Sequence, residues 1–195
     1  MDSQLTLVNA SPPVCLMFST DSMINATLHR DSRPAYTITT ELQGSTTEIR
    51  TASTSQLLAR ITRREVLPDI IAFPNMNGGK DMRLGKWMRR CKLPDASHAH
   101  FIETEVGTCV LKKHRVNRLA LFTEFDAETP VAHWERADQA SPLSLMLYSG
   151  TENFHPQIIA AFTVQELKMR MAEKADLVAL SRAAAQSKTL VNLNQ

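Results

Sequence analysis

The stretch that decides the fold is Phe154-His155-Pro156-Gln157-Ile158-Ile159-Ala160-Ala161-Phe162-Thr163-Val164. Pro156 falls near a first helical position, where its missing N–H costs nothing, and residues 157–171 read as helix. Its opening two turns are apolar on nearly every side, and a helix of that kind needs protein all round it. Further on, Gln165, Glu166, Lys168 and Arg170 predict that the helix emerges into solvent. Ala172–Ser187 holds Leu177, Val178, Leu180 and several alanines, so the helix continues or restarts there, and Thr189–Gln195 reads as a frayed end. The run Ile158–Val164 is far short of the ~20 apolar residues that span a bilayer.

Working back toward the N-terminus, twelve stretches between Val14 and Tyr148 read as short strands divided by turn signals. Leu57, Ala59 and Ile61 alternate with polar neighbours, as do Leu143, Leu145 and Leu147, and Leu119, Leu121 and Phe125 share one side. Asp31-Ser32-Arg33-Pro34, Gln43-Gly44-Ser45 and Asn75-Met76-Asn77-Gly78-Gly79 supply turn chemistry. About a dozen antiparallel strands escape exposed edges most completely by closing into a barrel. Such a barrel is too wide for its own side chains to fill. The helix from about residue 156 is the plug that the sequence offers. The expected fold is therefore mainly β: about twelve short strands in a closed or nearly closed barrel around a C-terminal apolar helix. The alternative is a β-sandwich with the helix outside. The expected divisions are an N-terminal arm, 1–13, a barrel domain, 14–172, and a helical or frayed tail, 173–195.

The composition sets outer limits. The 195 residues are 43% hydrophobic and 22% charged with a net charge of +2, which excludes a histone-like polycation and a disordered acidic chain. The start, Met1-Asp2-Ser3-Gln4-Leu5, lacks a basic, apolar secretory leader. Cys15, Cys91 and Cys109 are odd in number and contain no CxxC, so they read as reduced thiols, two of them in the core. The expected location is cytoplasmic, peripheral to a membrane if the basic residues bind one.

Several phrases resemble a family of unknown function abundant in mushroom-forming fungi. They are Asn25-Ala26-Thr27-Leu28 with Ala35-Tyr36-Thr37-Ile38-Thr39-Thr40, Leu58-Ala59-Arg60-Ile61, Pro130-Val131-Ala132, Ser141-Pro142-Leu143-Ser144-Leu145 and Phe154 to Phe162. That family is similar to the tubby C-terminal fold, shared with LURP-one-related proteins and phospholipid scramblases. The resemblance implies a twelve-stranded barrel enclosing a hydrophobic helix, and a lipid-binding or scaffold role. It implies no catalytic residues, and the basic phosphoinositide pattern of tubby itself is absent.

From Lys80 to Lys92, Lys80, Arg83, Lys86, Arg89, Arg90 and Lys92 face one acid, Asp81. If Leu84–Cys91 is a short helix, Trp87 and Met88 dip into an apolar surface beneath a cationic rim, a combination suited to anionic lipid. The competing reading is a barrel cap with its apolar residues turned inward. Lys112-Lys113-His114-Arg115 and Arg118 would add to the same field. Nucleic acid is disfavoured because few stacking aromatics accompany these cations. His98, His100 and Glu105 form a loose His-x-His-x4-Glu pattern, a candidate metal set for a cupin-like enzyme. Cys91 has cationic neighbours but no recognisable base. No phosphate loop, GxSxG, GxGxxG or HExxH occurs. The reading leans to a non-enzymatic, cofactor-free binding module for anionic phospholipid or a protein partner. A self-associating homodimer, through an edge strand or the tail after Ala172, is the alternative.

Overall fold

The computed structural model describes residues 12–93, 97–135 and 142–192, with side chains in the last segment as far as Arg182. Most of the expected N-terminal arm lies outside the described residues, as does Arg136 at the end of one expected strand.

Thirteen strands form one antiparallel sheet. The first seven are β1 (Val14–Phe18), β2 (Ala26–Arg30), β3 (Arg33–Thr40), β4 (Thr46–Thr51), β5 (Leu57–Thr62), β6 (Ile70–Ala72) and β7 (Met82–Arg83). A four-residue helix, α1 (Leu84–Trp87), leads to β8 (Met88–Lys92), β9 (His98–Thr104), β10 (Gly107–His114), β11 (Arg118–Thr123), β12 (Pro130–Glu135) and β13 (Ser144–Leu147). A 3-10 turn then feeds α2 (His155–Asn192). The turns follow their chemistry. Asp31 and Ser32, both at positive φ, make the two-residue β2–β3 hairpin. Asn77, Gly78 and Gly79 are successively left-handed ahead of β7.

The sheet is a meander whose first and last strands, β1 and β13, are paired, so its two edges are β7 and β8. Alternating antiparallel pairings make β7 and β8 run the same way. They act as one bent strand: its start pairs with β6 and its end with β9. Five residue steps separate Arg83 from Met88, which cannot exceed about 18 Å. The sheet is therefore curled and nearly closed, with chain rather than ladder hydrogen bonds across the seam. Twelve strands were expected. The thirteenth arises because the expected helix Leu84–Cys91 stops at Trp87 and its second half pairs with β9 instead.

The helix is enclosed, as expected. Ile158, Ile159, Ala160, Ala161, Phe162, Thr163 and Val164 are all buried, none more than 4% exposed. All but Thr163 belong to one hydrophobic core with Leu16, Leu28, Ile38, Ile49, Ile61, Ile71, Ile102, Leu111, Leu121 and Leu145, which span the sheet. Trp134 on β12 stacks on Phe162 at 5.6 Å, and Tyr36 on β3 meets His155 at 3.3 Å. A sandwich with an outer helix is thereby excluded. From Met171 onward the described side chains of α2 are exposed.

Two local expectations need correction. Phe125 is fully exposed beyond the end of β11. Phe122, on the opposite face from Leu121, is the buried aromatic, with the Lys112 ammonium 4.1 Å from its ring centre. Only Cys109 of the three thiols is fully buried.

Candidate anion-binding surface

The bent strand segregates its residues by polarity. Leu84, Trp87 and Met88 are buried, while Lys80, Arg83, Lys86, Arg89 and Arg90 are all exposed. Trp87 wedges the seam from inside: its ring lies 5.1 Å from that of Phe73, and its indole N–H donates to the Glu103 carbonyl at 2.9 Å. The expectation that Trp87 and Met88 dip into lipid fails, because the curled sheet offers these side chains a closer apolar partner. Arg83 and Arg89 project from the outer face over the seam, and Arg90, two residues beyond Met88, lies on the face that Met88 shares. Arg89 is held by Glu103 at 3.3 Å, with its guanidinium 5.9 Å from the ring centre of Phe101. Among the described residues, Lys80, Arg83, Lys86 and Arg90 make no ion pair.

The second basic run divides. Lys112 covers Phe122 and donates to the Ala127 carbonyl at 3.1 Å. Arg118, in a left-handed backbone conformation, turns onto α2 instead of adding to these cations. It donates to Glu166 at 2.9 Å and grips both oxygens of Glu173 at 2.9 and 3.1 Å. Glu166 also accepts from Arg170 at 2.8 Å, and Arg170 reaches Asp21 at 2.6 Å. These pairs close the end of the barrel around a cavity of about 300 Å³ lined by Trp134 and Leu143 as well. The hydrogen bonds that Arg118 donates to Glu173 and Glu166 raise its pKa. Glu166 was expected to emerge into solvent; it is 1% exposed. Its partner Arg118 is 48 residues distant in sequence, and no local pattern signals that pairing.

The candidate metal set does not assemble. His98 and His100 share a face of β9, but Glu105 lies beyond its far end, in the turn to β10. The five residue steps from His100 to Glu105, the last of them out of the strand, amount to about 16 Å. Among the described residues no group of three His, Cys, Asp or Glu side chains is arranged to hold a metal. Cys91 is half-buried and opposite Ala99, without a neighbouring base on β9. Burial, then the influence of Lys168, Arg90 and His98, pushes the His100 pKa down to about 4.

At the other end of the barrel is a polar cluster that sequence reading missed. His155 contacts the Tyr36 hydroxyl through Nδ1 and the Thr151 hydroxyl through Nε2, both at 3.3 Å. Burial lowers the His155 pKa and raises that of Tyr36. The motif-free contact between positions 119 residues apart gave no signal.

Residues 21–171 match a family described as "Family of unknown function (DUF6593)". No curated protein and no solved structure matches the chain.

Proposed function

The chain belongs to that family of unknown function, and from this premise we propose that it is a non-enzymatic binding module that docks on anionic membrane surfaces through Lys80, Arg83, Lys86, Arg89 and Arg90. One observation carries the reading: along the bent strand every cation is exposed, and among the described residues only Arg89 is paired. The fungal origin and the kinship to the tubby, LURP-one and scramblase fold are part of the same proposal, supported by the enclosed helix. Since Trp87 is buried, attachment is electrostatic, at about 1 kcal/mol per cation near a negatively charged leaflet. The cytoplasmic face of a membrane is the matching location. No helix among the described residues is long and apolar enough to cross a membrane.

Co-sedimentation with phosphatidylserine vesicles at low and high salt tests the proposal. Binding at low salt should vanish at high salt, and the triple variant K80A/R83A/K86A should weaken it about 100-fold. Absence of binding at low salt, or equal binding to neutral vesicles, overturns it.

A second reading is self-association through the tail, favoured by the exposed side chains of Met171, Leu177, Val178 and Leu180. Light scattering decides it: the full chain would be a dimer and a chain ending at Ala172 a monomer. A monomeric full chain removes this reading.

A further inference from the structure

Beyond the outward-facing cations, the strand register builds a second cationic feature, on the inner face. Side chains of directly paired residues share a face of a sheet. Met88 is paired with Ile102 and Ile102 with Cys109, all three buried against the core. Two residues along on the same face, Arg90 pairs with His100, and His100 with Leu111. Two further, Lys92 pairs with His98. On β10, Lys113 follows Leu111 on that face and pairs with Leu119. The inner face thus turns from apolar to cationic at the barrel end where α2 leaves. Lys168 of α2 lies close enough to His100 to oppose its protonation.

Among the described residues no carboxylate neutralises this row. Glu103 is on the other face with Arg89, and Glu166 is held between Arg118 and Arg170. Among the described residues the half-buried imidazole of His100, beside Arg90 and influenced by Lys168, has no counter-charge, and a cluster of cationic groups concentrates anions. We infer that this inner-face row at the ends of β8, β9 and β10, beside α2, binds a phosphate-type anion, gripped by Arg90, His100 and Lys168. Arg90 supplies a fork that matches phosphate oxygens, Lys168 a point charge, and His100 a donor. This row is distinct from the outward-facing cations Arg83 and Arg89, and of its three gripping residues only Arg90 belongs to the surface proposed for membrane docking.

The test is an NMR titration of the histidine ring signals of the full chain at constant ionic strength, with inorganic phosphate in one arm and phosphatidic acid vesicles in the other. The His100 signals should move and saturate, and its pKa should climb toward the ordinary 6.5 as the anion favours the imidazolium. His29, on β2 and away from this row, should stay unchanged. Lys168→Ala and Arg90→Ala, both at exposed positions, should each weaken the effect about tenfold. Saturation with phosphate assigns a soluble ligand, and saturation with vesicles alone assigns a headgroup; either upholds the site. No shift in either arm, or equal shifts at all histidines, overturns it. K80A/R83A/K86A separates the two proposals: it should weaken attachment to phosphatidylserine vesicles about 100-fold and leave the phosphate response of His100 intact.

Discussion

At Glu166 one buried carboxylate accepts from Arg118 and Arg170 at once. Removing its charge leaves two guanidiniums facing each other in a poorly solvated place. Glu166→Gln should therefore cost roughly 3–5 kcal/mol in urea unfolding, whereas a loss under about 1 kcal/mol would show the pairing to be a surface feature. His100 makes the opposite kind of statement. Its pKa is about 4 in the folded chain against 6.5 as a free side chain, so the unfolded chain binds the extra proton. Stability must then fall as pH drops from about 6.5 toward 4. Replacing His100 by Gln should flatten that part of the urea-midpoint profile, and an unchanged slope would mean the ring is not confined among cations. Neither behaviour was legible in the sequence. Alternation placed His98 and His100 on one face correctly, but what opposes them comes from α2, and a strand pattern carries no information about that.

The element that the sequence read least well is the bent strand. Met88–Lys92 is mostly cationic and lacks the alternation of an ordinary strand, so its pairing with β9 depends on the seam rather than on propensity. Trp87, 1% exposed, holds that seam. Trp87→Ala should cost roughly 3–5 kcal/mol, and a change within about 0.5 kcal/mol would place the indole outside the core. The tail of α2 behaves differently, because its described side chains beyond Arg170 are exposed. Ending the chain after Ala175 should alter stability by less than about 0.5 kcal/mol. Ending it after Gln165 removes both Glu166 and Arg170 and should be severely destabilising. The strands around Ala26–Arg30 and Thr46–Thr51 were legible to the residue, since turn residues and β-branched runs mark both ends of each.

For the molecule as a whole, the apolar stretch from Ile158 to Val164 dictates the architecture. A sheet of thirteen strands cannot fill its own interior, and a helix apolar on every side cannot face water. Each solves the other's problem. That complementarity is readable from sequence because it depends on composition and period. The seam and the cationic mouth are not, because they depend on which strands become edges. Native-state hydrogen exchange of α2 tests the enclosure most directly. Amides of residues 158–166 should exchange only through global unfolding, and those of residues 176–182 orders of magnitude faster. Equal, rapid exchange along the whole helix would contradict the account.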